Sequence, residues 1–172
     1  MTDTARATGL RVDPIALAAD NWAAHGWSAA ADGMALVTSI MRVQQVFLAR
    51  VEKVLRPSGL TFARFEVLRL LGFTRTGTLP IGKIGERLQV HAASATNAVS
   101  RLEEDRLVER SANPDDRRSV LVSITPGGRR TVERLTLALN DEVFSALPMD
   151  ADAQREVVRA LRDVRRAFGD FA

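Results

Sequence analysis

Hydrophobic residues recur at intervals of three and four along most of the chain, a spacing typical of amphipathic helices. A capping residue followed by proline marks two helix starts, at Asp13-Pro14 and at Thr125-Pro126. Gly26, Pro57 and Pro148 mark helix ends. The pattern predicts a mainly helical chain, with helices over about 13–26, 33–55, 62–72, 80–88, 92–105, 126–146 and 150–168.

The predicted helix from Gly33 to Leu55 is apolar on two sides. One stripe consists of Met34, Val37, Met41, Leu48, Val51 and Leu55, and the other of Leu36, Ile40, Val43, Phe47 and Val54. A helix that is hydrophobic nearly all round has to be covered on both sides. We expect a second copy of the chain to cover one side, so that the protein is a homodimer. The alternative is a central helix in a monomeric bundle.

The stretch from Pro80 to Thr125 departs from the long helical pattern. Ile81, Ile84 and Leu88 predict a short helix, and a second helix follows from about Ala92 to Asp105. The outer face of this second helix carries mostly short hydrogen-bonding side chains, namely Ser94, Thr96, Asn97, Ser100 and Arg101. Such side chains reach base edges and phosphates in a major groove. We therefore expect these five residues to bind DNA.

A charged hairpin is predicted directly after the second helix. Alternating residues in Ser119–Ile124 indicate a strand, and Leu107–Arg110 leads into its partner. Turn-forming residues lie between the strands, and Arg117 and Arg118 lie at or near the tip. Arginines at a hairpin tip beside a DNA-binding helix can follow phosphates or enter a narrow minor groove. Arg118 is the first choice for this contact.

The composition of the 172 residues is that of an ordinary globular protein, with a net charge of +3. Five arginines against two aspartates between Arg110 and Arg130 make the basicity local. Such a patch fits DNA binding, and a solvated hairpin with incidental arginines is the alternative. The chain has no cysteine and two histidines, and it lacks the common catalytic motifs. We expect no enzyme activity, no cofactor and no metal site.

Unbroken apolar runs stay short of the ~18 residues that a membrane span needs. The N-terminus lacks the apolar stretch of a secretory signal. We therefore expect a cytoplasmic protein without a membrane partner.

From about Met34 to the C-terminus the sequence resembles the MarR family of winged helix-turn-helix regulators. The resemblance rests on the paired short helices and on a wing that reads Leu107–Arg110, then Asp116-Arg117-Arg118, then Ile124–Gly128. Gln89 departs from the glycine that is common in the turn of such motifs. The resemblance implies a homodimeric, sequence-specific transcriptional regulator. It also implies a repressor released from a pseudo-palindromic operator on double-stranded DNA by a small anionic or aromatic effector. Asp116 would orient the wing, or form only a local turn.

An extra N-terminal helix with a tryptophan is similar to the urate-responsive subgroup of that family. By this resemblance Trp22, Glu66 and Arg110 would line a ligand pocket. A second arginine of the subgroup's pattern falls at Ala98, and glutamate replaces the usual aspartate at position 66. The alternatives are that Trp22 anchors a core and that Glu66 and Arg110 form a structural ion pair.

The whole pattern predicts a mainly α protein with a small β-hairpin wing. We expect a flexible N-terminus over 1–12, N-terminal dimerisation helices over 13–56, a winged helix-turn-helix over 57–126 and C-terminal dimerisation helices over 127–172. A winged-helix module that binds proteins instead of DNA is the alternative function. It would expose apolar side chains on the recognition helix.

Overall fold

The computed structural model describes residues 10–116 and 118–171 of the chain. They form two compact units, one ending at Arg50 and the other beginning at Val51. Residues 1–9 of the predicted flexible N-terminus lie outside the described residues. The predicted fold class, mainly helical with a small antiparallel sheet, is confirmed. The elements are α1 (Pro14–Ala24), α2 (Ser28–Leu55), α3 (Phe62–Phe73), β1 (Thr78–Pro80), α4 (Ile81–Leu88), α5 (Ala92–Glu104), β2 (Val108–Ala112), β3 (Val120–Ile124), α6 (Pro126–Leu139) and α7 (Ala151–Ala167).

The first unit contains α1 and most of α2. Asp13 caps α1, because its Oδ1 accepts a hydrogen bond from the amide of Ile15 at 2.9 Å. The predicted start of the second helix at Gly33 is wrong, since α2 begins at Ser28. The reason is local: residues 29–31 are alanines, the strongest helix formers. The amide of Ala30 already bonds to the carbonyl of Trp27 at 2.9 Å.

The apolar stripes of α2 lie at the surface of the single chain between Leu36 and Leu48, whereas Val51 and Leu55 are buried in the core of the second unit. Val37 is 57% exposed and Met41 60% exposed, and Ile40, Val43 and Phe47 are exposed as well. By length and composition alone the stretch Ser28–Ser58 is apolar enough to cross a membrane, although a single helix of this kind is weak evidence for a span. An amphipathic helix that packs against another protein passes the same test.

The second unit has a continuous hydrophobic core around α3. Phe65, Leu68 and Leu71 are buried there, together with Ile84 of α4 and Leu102 of α5. Thr61 caps α3 by accepting a hydrogen bond from the amide of Arg64. This core connects the helix-turn-helix to α6, which also packs against α3.

The sheet has the order β1-β3-β2, and both pairings are antiparallel. Thr78 of β1 lies opposite Ser123 of β3, and their hydroxyl oxygens are 2.8 Å apart. Val108 of β2 lies opposite Ile124. The central strand β3 thus pairs with β2 on one side and with β1 on the other, and the tip of the β2–β3 hairpin extends beyond β1.

The C-terminal helices differ from the prediction in two respects. The regular part of α6 ends at Leu139 and the chain continues as a π-helical turn over Asn140–Phe144. Val157, Leu161, Val164 and Phe168 have the helical spacing of an inward face, yet Val157 and Leu161 are exposed in the single chain, Phe168 is 87% exposed, and Val164 is half-buried. Periodicity identifies an apolar face but does not say whether the same chain covers it.

Candidate nucleic-acid interface

A helix-turn-helix forms from α4 and α5. Gln89 ends α4 in the left-handed region, with φ 53° and ψ 41°, although glycine would adopt this conformation more easily. The amide of Val90 then bonds to the carbonyl of Gly85 at 3.0 Å. His91 caps α5, because its Nδ1 accepts a hydrogen bond from the amide of Ala93 at 3.2 Å. The turn between the two helices is therefore regular, although Gln89 takes the place of the common glycine.

The recognition helix α5 buries one face and exposes another. Ala95, Val99 and Leu102 are in the core. The predicted DNA-binding residues Ser94, Thr96, Asn97 and Arg101 are exposed. Three of them, Ser94, Asn97 and Arg101, line one side of an open groove of about 390 Å³, and Thr61, Ala63 and Arg64 of the α3 end line the other.

Ser100 is less available than the other four. It is half-buried, and its hydroxyl donates to the carbonyl of Thr96 at 2.9 Å. The same oxygen accepts a hydrogen bond from Nη2 of Arg110 at 2.8 Å. Both bonding directions of this hydroxyl are used within the protein.

Arg110 joins the first wing strand to the recognition helix. Besides Ser100, its Nη2 donates to the carbonyl of Thr96 at 3.2 Å, and its Nη1 pairs with Glu103 at 3.3 Å. Glu103 also accepts a hydrogen bond from the backbone amide of Arg110 at 3.2 Å. A planar guanidinium is suited to such multiple contacts. The wing and the recognition helix are thus held together as one surface.

The acidic end of α5 is neutralised by arginines. Glu104 pairs with Arg101 at 2.9 Å, and Asp105 pairs with Arg64 at 3.2 Å. Together with the Glu103–Arg110 pair, this gives each acid of the Glu103–Asp105 run an arginine partner. These pairs weaken the repulsion between this helix end and phosphate.

The wing tip is a series of short turns. Oδ1 of Asn113 accepts a hydrogen bond from the amide of Asp115 at 3.1 Å. Oδ1 of Asp116 accepts one from the amide of Arg118 at 3.0 Å. This is the local turn that was predicted for Asp116 as one of two roles. Arg118 is exposed, whereas the predicted contact Arg117 lies outside the described residues.

The three residues predicted to form a ligand pocket have different surroundings. Trp22, in the first unit, is 36% exposed and stands edge-on to Trp27 with ring centroids 5.5 Å apart. Glu66, in the second unit, is half-buried, and burial raises the pKa of its carboxyl above the ordinary value. Among the described residues Arg110 pairs with Glu103, so the Glu66–Arg110 ion pair, the alternative to a ligand pocket, is not formed. The ligand-pocket assignment itself stays a prediction.

In the described part of the chain, no three histidine, aspartate or glutamate side chains cluster in a way that could hold a metal ion.

Two contacts of this interface could not be read from the sequence. Arg64 pairs with Asp105, 41 positions away, and Arg110 pairs with Glu103, 7 positions away. Arg118, which follows Asp116 and Arg117 in the wing sequence, is exposed, and its contact with DNA stays a prediction. The fold and this surface define a winged helix-turn-helix protein whose recognition helix exposes polar side chains.

Comparison with known proteins agrees with this class. The profile of the MarR family matches residues 60–120. The chain is 46% identical to Sco5413, a MarR family transcriptional regulator from Streptomyces coelicolor. Its structure superimposes with a TM-score of 0.74, over 81% of this chain and 97% of that one. The chain is 30% identical over 135 residues to YwaE of Bacillus subtilis, named as an uncharacterised helix-turn-helix transcriptional regulator, with 77% of this chain and 78% of YwaE covered.

A third similar protein is BpsR of Bordetella bronchiseptica, whose DNA binding is regulated by 6-hydroxynicotinic acid. It is 26% identical, with a TM-score of 0.67 over 74% of this chain and 90% of that one. The chain described here belongs to the MarR family. It is a DNA-binding transcriptional regulator, and the alternative of a protein-binding winged helix is not favoured.

Proposed function

We propose that the chain acts in the cytoplasm as a homodimeric repressor that binds a pseudo-palindromic operator and leaves it when a small anionic or aromatic effector binds. The observation that carries the DNA part is the combined surface of α5 and the wing. Ser94, Thr96, Asn97 and Arg101 are exposed on α5, and Arg118 is exposed at the wing tip. Because Arg110 bonds the two elements together, they can dock on a duplex without first being ordered.

A protein-binding winged helix would present apolar side chains on the same helix. The apolar residues Ala95, Val99 and Leu102 of α5 are buried instead. The outward hydroxyl and amide groups can donate and accept hydrogen bonds and the Arg101 guanidinium can donate them, as contacts with bases and phosphates require. This distribution supports DNA as the partner.

The homodimer is supported by the exposed apolar surface of α2. Leu36, Val37, Met41 and Phe47 are all exposed in the single chain. Soluble proteins seldom leave such a long apolar face in water, and continuous exposed patches mark sites of association. A two-fold dimer would also place two recognition helices on successive half-sites, about 34 Å apart.

The effector is supported by resemblance and by one local feature. In BpsR, a similar protein, DNA binding is regulated by 6-hydroxynicotinic acid, a small aromatic acid. In this chain Glu66 is a half-buried carboxyl whose pKa is raised by burial. A perturbed carboxyl of this kind is a candidate for ligand binding. Glu66 is the proposed pocket residue that this observation supports, and the proposed roles of Trp22 and Arg110 rest on the resemblance alone.

The decisive experiment is selection of bound duplexes from a random pool by the full-length protein. A motif with two-fold symmetry is expected, and a half-site motif without symmetry would refute the dimeric docking. Failure to enrich any sequence would refute sequence-specific binding. Adding a panel of small aromatic acids, including 6-hydroxynicotinic acid, to the enriched duplex then tests release. If none changes the affinity, the effector part of the proposal is rejected.

A further inference from the structure

The turn of the helix-turn-helix is bonded to the C-terminal end of the same chain. Nε2 of Gln89 donates to the backbone carbonyl of Asp170 at 3.1 Å and to its Oδ1 at 3.2 Å. Oε1 of Gln89 accepts a hydrogen bond from Nη2 of Arg165 at 3.2 Å. Arg165 also pairs with Oδ2 of Asp170 through its Nε at 2.5 Å. The three side chains form a closed cluster, called here the C-terminal clasp.

The turn that follows α7 places Asp170 beside Gln89. Gly169 adopts a left-handed conformation with φ 74°, and its amide bonds to the carbonyl of Arg166 at 2.9 Å. The amide of Asp170 then bonds to the carbonyl of Arg165 at 3.0 Å. This pattern is a helix C-cap that reverses the chain. Phe171 follows under the guanidinium groups of Arg165 and Arg166, at 5.2 and 5.3 Å from its ring centroid.

Gln89 has no local reason to be a glutamine. A non-glycine residue with positive φ is strained, and glycine is the residue that relieves that strain. Within the described residues, the side-chain bonds of Gln89 go to positions 76 and 81 residues away. Both ends of its amide group are used there. The contacts with the C-terminus thus account for the glutamine better than the turn does.

We infer that the C-terminal clasp is a positioning device, which fixes the α4–α5 turn and so the orientation of the recognition helix for DNA. Gln89, Arg165 and Asp170 act through α5 and do not themselves touch the duplex. The inference rests on the proposed DNA binding. Since α7 also exposes Val157, Val158 and Leu161, which a second copy would cover, dimer packing and the turn are connected through one helix.

The experiment uses the duplex obtained by the selection described above. Its affinity is measured for the wild-type protein and for the Gln89→Ala, Asp170→Ala and double variants. Each single variant should weaken binding about two- to fivefold, as expected for loss of exposed hydrogen bonds. The double variant should bind the duplex as tightly as the single variant of lower affinity, because both substitutions remove the same contact. Asp170→Ala removes a negative charge, so a purely electrostatic effect would strengthen DNA binding instead.

Asp163→Ala is the matched control. It removes the aspartate of α7 that pairs with Arg166 at 3.5 Å, and it leaves the clasp intact. Its affinity should be that of the wild type or slightly higher. If Gln89→Ala weakens binding while Asp170→Ala behaves like Asp163→Ala, the glutamine acts within the turn and the inference is overturned.

Gln89→Gly separates the clasp from folding stability. Glycine suits the left-handed turn, so the melting temperature should be unchanged or higher. The affinity should nevertheless fall as in Gln89→Ala. Wild-type affinity in Gln89→Gly would overturn the inference and leave DNA binding itself untouched.

Hydrogen exchange provides a readout without DNA. The amide of Val90, bonded to the carbonyl of Gly85, should exchange faster in Asp170→Ala than in the wild type or in Asp163→Ala. Equal rates in all three proteins would show that the C-terminus does not hold the turn. This result stands whether or not the duplex selection succeeds.

Discussion

The guanidinium of Arg110 donates to the hydroxyl of Ser100 at 2.8 Å, so the first wing strand and the recognition helix share a hydrogen bond. Arg110 also pairs with Glu103, three residues further along the helix. The side chain that the subgroup resemblance placed in a ligand pocket therefore has a structural task in this chain. That task sets the relative position of two DNA-binding elements.

Arg110→Ala should lower the free energy of unfolding by about 1 to 3 kcal/mol, because Glu103 is left half-buried without its partner. Urea denaturation measures the change. Arg101→Ala serves as the control, since it removes the exposed pair with Glu104 and should cost less than about 1 kcal/mol. Equal losses in both variants would contradict the role given to Arg110.

Arg118→Ala should weaken binding to the selected duplex by about 1 to 3 kcal/mol and reduce its salt dependence by about one counterion. The physical reason is the loss of one guanidinium at the wing tip. Affinity measured over a range of salt concentrations tests both effects. Arg159→Ala, an identical change on α7, should leave both quantities nearly unchanged. Unchanged affinity in Arg118→Ala would refute the wing assignment.

Val37→Asp should convert the dimer into a monomer, because it introduces a charge into the apolar face of α2. Burying an unpaired carboxylate costs several kcal/mol, so the dimer dissociation constant should rise about a hundredfold or more. Sedimentation equilibrium measures it. Gln44→Asp adds the same charge to the same helix at an exposed polar position and should have a smaller effect. A monomeric wild type would remove the basis for this prediction and for the proposed dimer.

Glu66→Gln should stabilise the protein at neutral pH. Burial raises the pKa of Glu66, so the folded state binds the proton more tightly than the unfolded chain does. The stability that this protonation contributes is complete below the ordinary pKa of 4.5 and is lost as the pH rises through the raised pKa.

The melting temperature of Glu66→Gln should therefore exceed that of the wild type at about pH 7.5, and the difference should shrink towards about pH 4. Thermal unfolding at both pH values tests this. Glu109→Gln, at an exposed position on β2, serves as the control. A difference that is independent of pH would contradict the stated cause.

Gly128→Ala should destabilise the protein by about 2 kcal/mol or more, because a Cβ there would lie 2.1 Å from the carbonyl oxygen of Leu107. Backbone has to move to make room. The neighbouring Gly127→Ala is a close control, since its Cβ would meet Thr125 at 3.6 Å, an ordinary contact. Denaturation that is equally affected in both variants would show that α6 and the Leu107 segment are not tightly packed.

Much of the fold was determined by local sequence. Thr61, Thr125 and Asp150 each accept a hydrogen bond from an amide three residues later, so each helix start depends on four adjacent residues. The core positions of α3 and α5 likewise follow from helical spacing. The turn at Asp116 follows from an aspartate two residues before the amide that it binds.

The tertiary structure alone decided which charged and polar side chains meet. With 24 basic and 21 acidic residues in the chain, the number of possible ion pairs is large. Arg64 pairs with Asp105, and Gln89 bonds to Asp170, because the fold brings segments 41 and 81 residues apart together. Sequence spacing determines contacts within a helix or a turn, whereas contacts between distant segments depend on how those elements pack.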